Sequence, residues 1–173
     1  MTSCPTIWSL EDGELPHLGR SSAVTVTLTD YKRADDVDLD WVGVLSERYS
    51  DLRIVGMGPG DRAYAESLGL LRAHSWAGTG TQALVESLRD SDFVGTRLHA
   101  GVRALQLGRP ALILAVDNRA AEIGKDTGLP VRARDDIEGV RATLVGSATF
   151  KLSLPRDAIS RWHSEVDRAM VAT

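Results

Sequence analysis

The stretch FVGTRLHAGVRALQLGRPALILAV, from Phe93 to Val116, decides the fold of this chain. Its first part, FVGTRL, is mostly apolar and predicts a strand. HAGVRALQLG is typical of a helix that ends at Gly108, and PALILAV, which begins at Pro110, predicts a second, buried strand. A strand, a helix and a strand in this order favour parallel pairing with a right-handed crossover. We therefore expect a parallel α/β unit here.

The same alternation extends in both directions along the chain. VTVTL (residues 24–28) and LRIVGM (residues 52–57) predict strands, and apolar residues at helical spacing predict a helix between them. Further helices are expected from Asp61 and from Thr79, followed by a short helix from Arg119 and a strand near LPVRA. The fold class is therefore α/β, with a Rossmann-like, doubly wound, mostly parallel sheet and helices on both faces.

Composition limits the organisation and the partners of the chain. With 173 residues, 43% of them hydrophobic, it is the size of one globular domain, which we expect to span 1–173. Residues 1–22 form a lead-in segment, and residues 155–173 are predicted to form a C-terminal helix. The net charge of −4 shows no basic excess, which disfavours nucleic-acid binding.

Cysteine and histidine usage limits the chemistry. The single cysteine, Cys4, excludes an internal disulfide and a cysteine-rich metal site. Three of the four histidines lie far apart without ligand-like spacing, so we expect no metal. Nucleophilic catalysis by serine or by Cys4 has no motif to support it. Neither a signal peptide nor a membrane span is recognisable, and we expect a cytoplasmic protein.

Arg97 and His99 fall where a predicted strand gives way to a helix. Ligands of doubly wound sheets bind at the carboxyl ends of strands. A helix N-terminus offers unpaired N–H groups, and an arginine can grip a carboxylate or phosphate by two parallel hydrogen bonds. Gly95 and Gly101 would allow close approach of backbone and ligand. The alternative is that Arg97 is a surface ion-pair partner and His99 makes a local hydrogen bond, and both interpretations stay open.

A second cluster follows the most hydrophobic strand, where Asp117, Asn118 and Arg119 precede the next predicted helix. An Asp or Asn before a helix is also a common N-cap, which leaves Arg119 as the better candidate for ligand contact. The glycine-rich GMGPGD (residues 56–61) is neither a Walker loop nor a dinucleotide fingerprint, and it predicts a turn. SWAGTGTQ (residues 75–82) predicts a loop at the start of a helix.

An ordered set of short motifs resembles the C-terminal half of the polysaccharide pyruvyl transferase family. In that family a strand ending in Arg-Leu-His leads into a helix, a Gly-x-Pro turn and a hydrophobic strand. This chain has RLH at residues 97–99 and GRP at residues 108–110 in that order. SCPTIWSL (residues 3–10) is similar to a Gly-Cys-Pro-Ser/Thr segment of the family, with Ser3 in place of glycine. The resemblance covers residues 4–131.

The resemblance implies the donor-side half of a glycosyltransferase-B type fold. The family transfers an enolpyruvyl group from phosphoenolpyruvate to a sugar of a cell-surface polysaccharide, which leaves a pyruvate ketal and phosphate. Phosphoenolpyruvate is then the donor substrate, and no further cofactor is implied. Arg97 would hold its carboxylate or phosphate, and His99 would be catalytic, as proton donor or phosphate stabiliser. The complete set of candidate substrate-binding residues is Gly95, Thr96, Arg97, Leu98, His99, Asp117, Asn118 and Arg119.

The resemblance reaches only the second half of the family. We therefore expect the acceptor-sugar half to be a separate N-terminal domain or a self-associated copy, and we expect the isolated chain to be inactive without it. Two alternatives stay open. The chain is a non-catalytic module that binds an anion or a nucleotide sugar, or it is the donor domain of a glycosyltransferase with the same fold.

Overall fold

A six-stranded parallel sheet forms the centre of the computed structural model, which describes residues 4–171. The sheet order is β4-β3-β2-β5-β6-β7, and a short antiparallel pair, β1 with β8, lies outside it. The strands are β1 (Gly13–Glu14), β2 (Ala23–Thr27), β3 (Asp51–Gly56), β4 (Ser75–Thr79), β5 (Asp92–Gly95), β6 (Ala111–Ala115), β7 (Val131–Ala133) and β8 (Lys151–Leu152).

Helices cover both faces of the sheet. They are α1 (Asp35–Arg48), α2 (Asp61–Ser67), α3 (Gly80–Ser87), α4 (Leu98–Gln106), α5 (Asn118–Thr127), α6 (Ile137–Leu144) and α7 (Arg156–Val171). Trp41, Tyr64 and Val140 place α1, α2 and α6 in one buried apolar cluster. Residues of α3, α4, α5 and α7 belong to a second cluster. The predicted Rossmann-like, doubly wound fold is confirmed.

The central strand β2 is buried along its whole length although two of its residues are threonines. The Thr25 hydroxyl lies 2.6 Å from the hydroxyls of Ser87 and of Ser91, so its burial leaves no unpaired polar group. A strand with helices on both sides needs both of its faces buried, and short hydroxyl side chains meet that need when they have partners.

Four elements differ from the sequence prediction, since the short pair β1 and β8 was not predicted, and neither were β4 and α6. SWAGTGTQ was expected to be a loop, but its first residues form the edge strand β4, which pairs with β3. Alternate residues of β4 are exposed, as in an edge strand, and its backbone pairing compensates for the glycine and polar residues of the segment. The helix α6 was not predicted; the Asp136 side chain caps it by accepting from Gly139 N (2.9 Å).

Segments near both ends of the described residues pack onto the second cluster. Ile7 and Leu10 of the lead-in segment are buried there, as is Ile159 of α7. The predicted C-terminal helix is α7, and residues 172–173 and Ser3 lie outside the described residues. Within residues 4–171, no helix combines the length and the apolarity that crossing a membrane requires.

The order of the strands creates a crevice between β2 and β5. From β2 the chain winds outward through β3 to β4, and it then returns to β5 and continues outward through β6 to β7. The loops after β2 and β5 therefore diverge to opposite sides. Such a reversal point, at the carboxyl ends of the strands, is where doubly wound folds bind ligands.

Candidate functional site

The turn after β5 is tied to the end of β2. Thr96 N donates to the carbonyl of Thr27 (2.9 Å), and the hydroxyls of Thr96 and Thr29 lie 2.7 Å apart. Both threonines are buried. These bonds fix the backbone that leads into α4 and therefore the position from which the Arg97 side chain extends.

The Arg97 guanidinium lies across the crevice and is 17% exposed. Its Nε donates to the Leu28 carbonyl (3.3 Å), and its Nη2 donates to Asp61 Oδ1 (2.6 Å) and Asp30 Oδ1 (3.3 Å). One face of the guanidinium is covered by the Tyr31 ring, whose centroid lies 5.0 Å from Cζ. Among residues 4–171, Nη1 has no hydrogen-bond partner. Arg97 is thus an ion-pair partner, and one of its guanidinium nitrogens is unpaired within the described residues.

The N-terminus of α4 is open beside Arg97. Arg97 is its N-cap residue and makes no side-chain capping bond. The N–H groups of Ala100 and Gly101 donate to the Arg97 carbonyl (3.1 Å each), whereas those of Leu98 and His99 have no acceptor in the described part of the chain. Two unpaired N–H groups at the positive end of a helix attract an anion.

A cavity of about 240 Å³ lies in front of these groups. Six of the eight predicted substrate-binding residues line it: Thr96, Arg97, Leu98, His99, Asp117 and Arg119. Gly95 and Asn118 do not. A Cβ on Gly95 would lie 2.3 Å from Thr27 Oγ1, so this glycine serves the close packing of β5 on β2. Gly101 likewise allows α4 to approach Ile113 of β6.

His99 is exposed and lies beside Cys4. Its Nε2 is 3.7 Å from Cys4 Sγ, and the same sulfur is 3.1 Å from Thr6 Oγ1. Sequence reasoning about nucleophiles set Cys4 aside. Its segment and the RLH motif are nevertheless two of the three stretches on which the resemblance rests, and the fold brings them together from 95 residues apart.

The cluster after β6 contributes the opposite wall of the cavity. Asp117 Oδ1 accepts from Ala120 N (3.4 Å), so the N-cap interpretation of Asp117 is confirmed. Arg119 is 63% exposed, and its Nη2 lies 4.0 Å from Asp117 Oδ2. An exposed arginine on a weak ion pair can turn toward an anion in the cavity at little energetic cost.

Sequence reasoning missed the residues that surround Arg97 from the loops after β2 and β3. Asp30 and Tyr31 follow β2, and Met57 and Asp61 follow β3. Tyr31 and Met57 line the cavity, while Asp61 is buried behind it. The available signal was their position, because polar or aromatic residues directly after adjacent parallel strands meet at one edge of the sheet.

A second, more open groove adjoins the cavity. It measures about 520 Å³ and shares Val116 and Asp117 with the first. Its polar lining includes Lys32, Arg33, Asn118, Arg134 and Asp135. In residues 4–171, no three or more His, Cys, Asp or Glu side chains are grouped to hold a metal ion.

No protein-family model matches this chain, and no curated protein matches it in sequence. Function is therefore inferred from the geometry of the site and from the ordered motifs.

Proposed function

We propose that this chain is the donor-side domain of a pyruvyl transferase and that phosphoenolpyruvate binds in the cavity in front of α4. The observation that carries the proposal is the convergence of unpaired anion-binding groups. Arg97, Leu98 and His99 all line one cavity of about 240 Å³. Among residues 4–171, the N–H groups of Leu98 and His99 and Nη1 of Arg97 have no hydrogen-bond partner, and the His99 side chain is exposed. Their sequence order matches the resemblance at residues 97–99 and 108–110.

The charges around the cavity indicate where the carboxylate and the phosphate of phosphoenolpyruvate would bind. Asp61 and Asp30 already offset the charge of Arg97, which suits its Nη1 to the singly charged carboxylate. The phosphate carries more charge and would lie at the N-terminus of α4, where the dipole is positive and Arg119 can reach it. This placement leaves C2 of phosphoenolpyruvate between the two anchors, with the methylene carbon C3 directed away from both.

His99 would act as the general acid. The proton goes to C3, where the electrons of the C2–C3 double bond form the new C–H bond and leave an oxocarbenium-like centre at C2. A hydroxyl of the acceptor sugar attacks C2 and gives its proton to a base of the acceptor half. A second hydroxyl then displaces phosphate, which takes up the proton of that hydroxyl as it leaves, and the pyruvate ketal is closed. The step needs anion contacts and an acid, and phosphoenolpyruvate is the donor substrate. Because phosphoenolpyruvate is a cytoplasmic metabolite, we place this domain in the cytoplasm.

Isothermal titration tests the assignment. Phosphoenolpyruvate is titrated into the wild type and into Arg97→Ala, beside inorganic phosphate and a uridine nucleotide sugar. Binding that is selective for phosphoenolpyruvate and lost in Arg97→Ala supports the donor-domain proposal. Equal affinity for phosphate and phosphoenolpyruvate, or binding that does not depend on Arg97, would overturn it.

The adjoining groove favours a nucleotide sugar as the second candidate. A nucleoside diphosphate sugar is larger than the first cavity. The groove of about 520 Å³ adjoins that cavity at Val116 and Asp117, which line both. In that case the domain would serve a glycosyltransferase or a non-catalytic binding module. In the same titration, tighter binding of the nucleotide sugar than of phosphoenolpyruvate would favour this second function. Asn118→Ala, a change in the groove, should then weaken nucleotide-sugar binding.

A further inference from the structure

The glycine-rich turn GMGPGD (residues 56–61) lies directly behind Arg97. Its last residue, Asp61, is buried and accepts hydrogen bonds from three loops of the sheet edge. Oδ2 accepts from the N–H groups of Met57 and Gly58 (2.8 Å each). Oδ1 accepts from Asp30 N (3.2 Å) and from Arg97 Nη2 (2.6 Å). The carboxylate thus joins the ends of β2, β3 and β5.

Gly58 brings the backbone of this turn against the guanidinium. A Cβ built on Gly58 would lie 2.7 Å from Arg97 Nη2, closer than two such atoms can approach. The nearest atom is the end of a flexible side chain, so an alanine at position 58 would displace the guanidinium and leave the backbone in place. The absence of a side chain at Gly58 is therefore a condition for the observed position of Arg97.

The remaining contacts leave one direction open. Nε is held by the Leu28 carbonyl, Nη2 by Asp61 and Asp30, and one guanidinium face by Tyr31. We propose that Asp61 and Gly58 are positioning residues that hold the Arg97 guanidinium with Nη1 directed at the ligand cavity. The GMGPGD turn then belongs to the binding site although its residues other than Met57 do not line the cavity. Only the ligand part of the test rests on the proposed function.

The first experiment measures the position of Arg97 without any ligand. Guanidinium N–H signals are recorded by ¹H–¹⁵N NMR and assigned to Arg97 by their loss in Arg97→Lys. A guanidinium held on several sides rotates slowly, so we expect separate Nη signals in the wild type. Gly58→Ala and Asp61→Asn should merge or shift these signals. The matched controls are Gly43→Ala, whose new Cβ meets no atom within 4 Å, and Asp38→Asn, another buried carboxylate paired with an arginine.

The second experiment measures phosphoenolpyruvate affinity in Gly58→Ala and Gly43→Ala. Gly58→Ala changes no charge, so any change in affinity reports the displacement of the Arg97 guanidinium and not a change in electrostatics. We expect it to weaken binding by about tenfold, the loss that follows from misplacing one charge-assisted hydrogen bond. Gly43→Ala should bind like the wild type. Equal affinity in Gly58→Ala and the wild type would show that Arg97 needs no support from the turn.

The two experiments separate the two proposals. If the wild type binds no phosphoenolpyruvate, the proposed function fails, and the NMR result still decides the role of Asp61 and Gly58. If the Arg97 signals of Gly58→Ala and Asp61→Asn coincide with those of the wild type, the positioning proposal is overturned whether or not the ligand binds. Merged signals in Gly43→Ala as well would also overturn it, because the effect would then be general.

Discussion

Two buried carboxylates at the same edge of the sheet each hold an arginine, and they differ in what the arginine has left to offer. Asp38 of α1 pairs with Arg134, which follows β7. Asp61, at the start of α2, pairs with Arg97. The carboxylate side chains are 0% and 2% exposed, so both pairs are inside the fold. Their burial alone does not tell a structural pair from a functional one.

The difference lies in the unused donors. All three nitrogens of Arg134 have partners, since Nε and Nη2 donate to Asp38 and Nη1 donates to the Lys32 carbonyl. Asp38 also accepts from Trp41 Nε1 (2.9 Å) and Tyr64 OH (2.8 Å). Arg97 retains Nη1, which has no partner within the described residues. A pair with every donor used stabilises the fold, whereas a pair with one donor left over can also bind.

Breaking the Asp38–Arg134 pair, in which every arginine nitrogen has a partner, should have the largest effect on stability. Asp38→Ala leaves the buried charge of Arg134 and the donors of Trp41 and Tyr64 without their acceptor. We expect the free energy of unfolding, measured with urea, to fall by about 3–5 kcal/mol. Phosphoenolpyruvate affinity should not change where the variant is still folded. A loss of affinity as large as that of Arg97→Ala would remove the distinction between the two pairs.

Breaking the Asp61–Arg97 pair, in which Nη1 is unpaired, should lower the free energy of unfolding less and the affinity for phosphoenolpyruvate more. In Arg97→Ala, Asp61 keeps its three backbone N–H donors, so we expect unfolding free energy to fall by about 1–3 kcal/mol. Phosphoenolpyruvate affinity should fall at least about tenfold, as expected for loss of a charge-assisted contact. Urea unfolding and calorimetric titration of the same preparation measure both. A stability loss equal to that of Asp38→Ala with unchanged binding would make this pair structural as well.

A third buried carboxylate, Asp92, sharpens the comparison because it has no arginine in an ion pair. It accepts from Gly19 N (2.7 Å) and Tyr49 OH (2.8 Å) at the amino end of β5. Burial raises the pKa of the Asp92 carboxyl, and these hydrogen bonds only partly oppose the shift. A carboxyl with a raised native pKa stabilises the fold most when protonated, and this stabilisation is lost as pH rises through the native pKa.

The pKa shift is tested by comparing the stability of Asp92→Asn with that of the wild type at two pH values. The unfolding free energy of the variant, relative to the wild type, should increase between about pH 4 and about pH 7, because only the wild type must ionise a buried group. Urea titrations at both values give the two differences. A difference that does not change with pH would show that the hydrogen bonds from Gly19 and Tyr49 fully offset the burial of the Asp92 carboxylate.

The smallest effect on stability is expected at Arg119. Its side chain is 63% exposed and its ion pair with Asp117 is 4.0 Å long, so Arg119→Ala should change unfolding free energy by less than about 0.5 kcal/mol. Phosphoenolpyruvate binding should weaken by about threefold at low salt, and the difference should vanish at high salt because the contact is screened. A salt-independent loss would mean that Arg119 is desolvated by the ligand.

Local pattern was enough to locate the main elements and the edge of the site. Arg97 and His99 follow an apolar strand and begin a helix, and the carboxyl-end rule then predicted that they lie where such sheets bind ligands. Asp61 was visible only as the start of a helix after a glycine-rich turn. Its four hydrogen bonds come from residues up to 36 positions away, and no local pattern encodes them. β4 was missed for the same reason, because its pairing with β3 outweighs a weak strand sequence.

By itself the sequence determined the alternation of strands and helices, the doubly wound class and the presence of arginine and histidine at a strand end, because hydrophobic periodicity and turn residues act locally. Only the tertiary structure decided that all three guanidinium nitrogens of Arg134 have partners, whereas Nη1 of Arg97 has none among the described residues. Gly95 and Gly101 serve packing, and Asp61 and Gly58 support Arg97, because these roles depend on distances between loops that parallel pairing brings together.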